Sequence, residues 1–173
     1  CVEIGVALAS GLAHLHNCGL VHRDIKPANI IFVNGLPKLA DIGLIAGADE
    51  ERSVVGTEGY MAPEGQGGVP ADIYALGKVL YEMATGLDAK RFPDLPDEWS
   101  TRPDREDLRA LNQVIQWACE GRADRRYKSA QAMRADLELL RTHSSLRYRK
   151  LRRGVRALGV LSAVAVLLLV GSI

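Results

Sequence analysis

The chain has 173 residues, 47% hydrophobic and 25% charged, which is the size and composition of one folded domain and excludes a disordered or low-complexity segment. Aromatic residues make up only 5%, too few for a platform that stacks single-stranded bases, and the net charge of +1 excludes a strongly basic nucleic-acid binder. The near-neutral total hides a split: through Glu138 there are 15 Lys/Arg against 21 Asp/Glu, and from Leu139 onward 7 Lys/Arg and no acid.

Val6, Leu8, Ala9, Leu12, Ala13 and Leu15 recur at helical spacing, so Cys1 to Asn17 is expected to be a helix packed on one side. The segment has no initiator Met, basic n-region or cleavage site, so it is not read as a signal peptide, and the domain is expected to begin upstream of Cys1. Leu20-Val21 reads as a short extended piece, followed by the polar run His22 to Asn29. Ile30 to Val33 and Leu36 to Ala40 flank Asn34-Gly35, the strongest two-residue hairpin signal, because a type I′ turn needs positive φ at both positions. Pairing Val33 with Leu36 then pairs Phe32 with Pro37, Ile31 with Lys38 and Ile30 with Leu39. Pro37 must occupy an edge position, and Asn29 and Asp41 meet at the open end.

Gly43 to Gly68 reads as a long Gly-rich loop of the functional sort. Asp72 is expected to cap a helix running to about Thr85, with Gly86 as its stop. Ile73, Ala75, Leu76, Val79, Leu80 and Met83 spread round its circumference, so this helix should be central. A Pro-rich connection, Phe92 to Pro103, leads to an amphipathic helix over Asp107 to Cys119, and Ser129 caps a last helix through Met133, Leu137 and Leu140. Cys1, Cys18 and Cys119 form no metal-ligand spacing and read as small buried hydrophobes. The fold class is therefore mainly α with a small β-hairpin.

The last 17 residues, Ala157 to Ile173, carry no charge and are apolar on every side of a helix, so they read as a membrane-spanning helix. At a 1.5 Å rise they reach only about 25 Å of a ~30 Å hydrocarbon core, so the span is expected to be cut short. Arg147, Arg149, Lys150, Arg152, Arg153 and Arg156 precede it, where positive charge marks the cytoplasmic side. The expected organisation is a folded cytoplasmic lobe over 1–142, a basic juxtamembrane segment over 143–156 and a single span over 157–173, with a lipid membrane as partner. A basic amphipathic surface helix or a buried C-terminal helix is the alternative.

Five polar residues converge in one short stretch, His22, Arg23, Asp24, Lys26 and Asn29, with Asp41 across the hairpin. A carboxylate beside an amide supplies hard oxygen ligands for Mg²⁺. A second carboxylate, Asp24, and an ammonium, Lys26, lie on the same loop, an arrangement suited to in-line phosphoryl transfer.

At these residues a resemblance becomes specific. His22-Arg23-Asp24-Ile25-Lys26-Pro27-Ala28-Asn29 resembles the catalytic loop of eukaryotic-type serine/threonine protein kinases, and Asp41-Ile42-Gly43 resembles their Asp-Phe-Gly metal motif with Ile for Phe. Ala62-Pro63-Glu64 matches Ala-Pro-Glu, and Gly56-Thr57-Glu58-Gly59-Tyr60 is similar to the segment that receives the substrate. Asp72 to Gly77 resembles the start of the central helix of the larger lobe, and Arg126 falls at that lobe's late arginine. The resemblance covers Cys1 to about Thr142, in the style of bacterial receptor-like kinases.

It implies ATP and Mg²⁺ as cofactors, a protein substrate and no nucleic acid. Asp24 would be the catalytic base orienting a Ser/Thr hydroxyl, Lys26 would contact the γ-phosphate, and Asn29 and Asp41 would hold Mg²⁺. Ile31 would form part of the adenine floor, and Thr57 would hydrogen-bond Asp24 and Lys26. Glu64 and Arg126 would form a buried ion pair, and Asp72 would accept backbone hydrogen bonds from the catalytic loop. His22 reads as a structural residue under the loop. Arg23 beside Asp24 implies control by phosphorylation, with Ser53 as the candidate acceptor, although Asp49, Glu50 and Glu51 offer standing negative charge instead.

The Gly-rich phosphate loop, strand lysine and helix glutamate of the smaller kinase lobe have no counterpart in these residues, so the expectation is a lobe that does not phosphorylate by itself. A pseudokinase or scaffold is the alternative function, against which the joint presence of Asp24, Lys26, Asn29 and Asp41 argues. A small-molecule phosphotransferase would lack the Gly-Thr-x-x-Tyr and Ala-Pro-Glu elements found here.

Overall fold

In a computed structural model, which describes residues 1–41, 46–47, 57–65 and 67–142, the chain places its catalytic-loop candidates between a helical core and a short hairpin. Helix α1 spans Val2–Asn17 and turns Leu8, Ala9, Leu12 and Ala13 inward. Strand β1, Leu20–Val21, follows, and Val21 is fully buried. Its partner is β4, Ala46–Gly47, with Leu20 opposite Gly47 and Val21 opposite Ala46. That pairing corrects the reading of Gly43 to Gly68 as irregular throughout.

Strands β2, Ile30–Val33, and β3, Leu36–Leu39, form the hairpin in the expected register, from Ile30 opposite Leu39 to Val33 opposite Leu36. Asn34 has φ 51° and Gly35 φ 77°, the two positive values a type I′ turn requires. In a two-stranded hairpin every position is an edge, which is how Pro37 is tolerated, and its ring is buried against the helical side.

Helix α2 runs from Gly68–Thr85 and stops at Gly86, whose φ of 71° is the left-handed cap that glycine accepts without strain. It is the central helix, burying Ile73, Leu76, Val79 and Leu80. Two expectations need correcting. Asp72 is not an N-cap: the helix begins four residues earlier, and its carboxylate turns inward. Met83 is 36% exposed and lies outside the core.

Helix α3, Arg105–Ala118, begins two residues before the expected start and packs on α2. At that crossing Gly77 allows the close approach, because a Cβ there would lie 2.7 Å from Cys119 Sγ and 2.8 Å from Ala118 Cβ and would force the helices to shift. Helix α4, Ala130–Thr142, packs on α1 and α3 through Met133 and Leu137, and Ser129 caps it by accepting from Ala132 N at 3.1 Å. Short 3₁₀ turns at Pro27–Asn29, Ala89–Arg91, Asp97–Ser100 and Ala123–Arg125 complete the lobe.

Of the three cysteines only Cys119 is buried, and burial pushes its thiol up to about 12; Cys1 and Cys18 are exposed, contrary to the reading of all three as core. The architecture agrees with a mainly helical lobe carrying small antiparallel pairs. No helix among the described residues is long and apolar enough to cross a membrane. The basic segment 143–156 and the apolar segment 157–173 lie outside the described residues, as do Ile42, Gly43, Ser53 and Gly56.

Candidate active site

The polar loop after β1 is held by a carboxylate from α2. Asp72 is only 2% exposed, and a buried carboxylate must collect donors. Its Oδ2 accepts from His22 N at 2.8 Å and lies 2.9 Å from His16 Nε2, while Oδ1 accepts from Arg23 N at 2.8 Å. Arg23 has φ 68°, a left-handed conformation costing about 1–3 kcal/mol for a non-glycine residue, so a local anchor is needed. The buried His22 ring joins the loop to the end of the hairpin through Nε2 and Ala40 O, 3.1 Å apart.

The next residue, Asp24, is the hub. Its Oδ1 accepts from Thr57 Oγ1 at 3.1 Å; its Oδ2 accepts from Asn29 Nδ2 at 2.9 Å and pairs with Lys26 Nζ at 2.7 Å. Asn29 Nδ2 also donates to Asp24 O at 2.8 Å, and Lys26 Nζ donates to Thr57 Oγ1 at 2.9 Å. Burial alone pushes the Asp24 carboxyl up, but the hydrogen bonds from Lys26, Asn29 and Thr57, with the Lys26 charge, outweigh it and hold the group below its ordinary value. Ile25, between the two charged residues, is fully buried and pins the loop to the core. The 3₁₀ turn Pro27–Asn29 then delivers Asn29 to the start of β2, where Asn29 O accepts from Ala40 N at 2.8 Å.

That backbone bond places Asn29 and Asp41 at the same open end. Asp41 is exposed, with φ 63°. The amide NH₂ of Asn29 is engaged twice by Asp24, which leaves its Oδ1 as the atom able to ligate a hard cation, at the same end of the hairpin as Asp41. This donor set of one amide oxygen and one carboxylate fits Mg²⁺ completed by water and phosphate oxygens.

The segment 57–64 is fastened at both ends. Thr57 joins Asp24 and Lys26; Tyr60 Oη donates to a Glu82 carboxylate oxygen at the end of α2; Lys90 Nζ pairs with Glu58 Oε2 at 2.8 Å. Glu64 meets Arg126 in a two-pronged pair, one prong at 2.7 Å, and Arg126 also donates to Glu120 O at 2.7 Å and Pro70 O at 3.0 Å. The pair is not buried on both sides: the Arg126 side chain is 0% exposed and that of Glu64 35%. Burial pushes the Glu64 carboxyl up, and Arg126 pulls it below its ordinary value.

The structure thus joins Asp24, Lys26, Asn29 and Thr57 in one network, His22, Arg23 and Asp72 in the scaffold beneath it, and Glu64 and Arg126 in a brace behind it. Ile31 stands apart, 47% exposed on the hairpin. Two contributors escape a reading of motifs alone. His16 backs Asp72, and its only sequence signal is a polar residue in the last turn of an otherwise apolar helix face. Glu82 receives Tyr60, and nothing in the sequence separates it from a solvated helix acid.

Residues 1–138 match the protein kinase domain model. The DNA damage-responsive serine/threonine-protein kinase RqkA of Deinococcus radiodurans is 37% identical over 164 residues, covering 80% of this chain and 25% of that protein. Serine/threonine-protein kinase D of Synechocystis is 34% identical over 146 residues, covering 73% and 29%, and mitogen-activated protein kinase kinase 3 of Arabidopsis thaliana is 42% identical over 101 residues, covering 53% and 19%. The chain spans between about an eighth and three tenths of the length of the bacterial relatives it matches, a quarter in the case of the Deinococcus kinase. With the catalytic-loop network, the Glu64–Arg126 brace and this match over 1–138 in agreement, the chain belongs to the protein kinase domain family.

Proposed function

We propose that these residues are the phosphoacceptor side of a protein kinase that transfers the γ-phosphate of ATP to Ser or Thr hydroxyls of a protein substrate. The observation that carries the reading is the Thr57 hydroxyl bonded to both Asp24 Oδ1 and Lys26 Nζ, which are themselves paired through Asp24 Oδ2, because it shows that this carboxylate and ammonium together receive a hydroxyl. A carboxyl held below its ordinary value is ionised at neutral pH and is a weak base, so the work of Asp24 is to accept and orient the substrate hydroxyl toward the phosphorus. Lys26 supplies positive charge where the transferring group accumulates negative charge. Asn29 Oδ1 and Asp41 would hold Mg²⁺, which when bound neutralises the ATP phosphates. The Asp72 carboxylate and the His22 contact with Ala40 O fix the loop so that these groups need little reorganisation.

The reading extends to the tail: the uncharged stretch 157–173 is proposed as a single membrane span, the basic collar 143–156 as its cytoplasmic flank, and Ser53 as a regulatory phosphoacceptor. Sequence composition supports the span and its flank, and Arg23 beside Asp24 supports the phosphoacceptor, for which Asp49, Glu50 and Glu51 offer standing negative charge instead. The test of the activity is phosphate incorporation from ATP into a generic Ser/Thr substrate by the intact protein and by its Asp24→Asn variant. Loss of about 10²–10⁴-fold in the variant is expected. Equal background incorporation in both would favour a binding module that keeps the fold without the chemistry.

A further inference from the structure

Lys78 lies in the middle of α2, the central helix, and is only 5% exposed. No carboxylate among the described residues pairs with its ammonium, which instead sits over two rings, 5.0 Å from the Phe92 centroid and 5.8 Å from that of Tyr74. Each ring belongs to a different support. Tyr74 carries the Arg126 guanidinium at 4.8 Å, the same guanidinium that grips Glu64. Phe92 packs edge-on against Tyr81 at 5.4 Å and ends the 3₁₀ turn Ala89–Arg91. That turn is the wall against which the substrate-segment residues 58–60 lean: a Cβ on Gly59 would lie 3.2 Å from Lys90 Cγ and 3.7 Å from Ala89 Cβ, and Lys90 pairs with Glu58.

Burying most of a lysine side chain with no carboxylate in ion-pair reach is costly, and burial pushes Lys78 below the ordinary lysine value against the opposing pull of the Asp88 charge. A Leu or Met would fill the same space without that cost. We infer that Lys78 is a positioning residue for peptide binding: by cation–π contact with Phe92 it fixes the turn 89–91, and through that turn the height of residues 58–60 beside the Thr57–Asp24 pair. The inference rests on the protein kinase reading for its functional consequence, but its structural half stands on contacts alone.

The test compares Lys78→Met and Lys78→Arg with the wild type in the intact protein, measuring peptide KM, ATP KM, kcat and amide hydrogen exchange. Met keeps length and burial without charge, and Arg keeps a cation over the rings. The expected result for Lys78→Met is a peptide KM raised roughly 5- to 10-fold, the size of a partly desolvated cation–π contact, with ATP KM and kcat unchanged and the Arg variant restoring the wild-type value. Exchange should accelerate at residues 88–92 and 57–61 and stay unchanged in α3. Wild-type peptide KM and wild-type exchange in the Met variant would overturn the inference, as would exchange accelerated uniformly across α2 and α3, the mark of a merely structural role. If the wild-type protein phosphorylates no peptide, the kinase reading itself fails, and localised against uniform or unchanged exchange still decides whether Lys78 fixes the turn.

Discussion

Thr57 has one hydroxyl and two partners, donating to Asp24 and accepting from Lys26. Valine in its place keeps the shape and removes both bonds, leaving the two charged groups with one partner fewer each. A hydrogen bond to a charged group contributes about 1.5–3 kcal/mol, so Thr57→Val should lower kcat/KM of the intact kinase at least tenfold, while Thr57→Ser stays near wild type. Steady-state kinetics on a peptide substrate checks it, and a fully active Val variant would remove Thr57 from the network. A second expectation concerns acid. Asp24 and Glu64 are held below their ordinary values of 3.8 and 4.5 in the folded chain, so the unfolded chain binds more protons as the pH falls. Their contribution is fully present above those ordinary values and is lost as the pH drops through the depressed ones. Thermal melts should therefore be flat from pH 7 to about 5 and fall below about 4, less steeply in an Asp24→Asn, Glu64→Gln double variant. At this scale the sequence was informative wherever chemistry was concentrated: a loop bearing Asp24, Lys26 and Asn29 within six residues announces itself. His16 and Glu82 did not, because their roles depend on partners 56 and 22 residues away.

Among the elements, the hairpin was legible to the residue, since Asn34-Gly35 admits one turn type and the turn fixes every pairing beyond it. Helix α2 was legible in its core face and its stop but not in its start. Asp72 has the chemistry of an N-cap, yet it serves the backbone of another segment, and the helix begins at Gly68, where no capping side chain marks the boundary. The α2–α3 crossing was invisible in one dimension, because only the packed pair shows that Gly77 has no room for a methyl group. Gly77→Ala should cost about 1–3 kcal/mol, the range for overpacking, despite alanine's better helix propensity. Urea denaturation measures it: a variant as stable as wild type would mean that the helices separate without penalty.

Over the whole molecule, the described surface is uneven. The hairpin presents Phe32, 60% exposed, and Leu36, 58% exposed, with Ile31 and Val33 also exposed, a local concentration of uncovered apolar side chains. The chain as given should therefore self-associate with rising concentration in sedimentation velocity, and Phe32→Ser with Leu36→Ser should shift it toward monomer. Unchanged sedimentation in the double variant would move the association elsewhere. The sequence indicated the body's acidity and the tail's opposite charge, but not this exposure, because four apolar residues in two short strands read as ordinary core until the two-stranded hairpin is seen to leave them uncovered.

The Asp72 anchor also dictates an order of events during synthesis. His22 and Arg23 precede their acceptor by 50 and 49 residues, and Glu64 precedes Arg126 by 62. On a chain emerging amino end first, the catalytic loop lacks its Asp72 anchor until α2 has left the ribosome, and the segment ending at Glu64 lacks its Arg126 brace until the residues after α3 follow. Nascent chains stalled before residue 72 should leave the His22 and Arg23 amides open to exchange, and chains long enough to expose all of α2 should close them. The loop that holds the reactive groups is thus assembled by residues translated after it, and a truncated product carries the motif without the geometry.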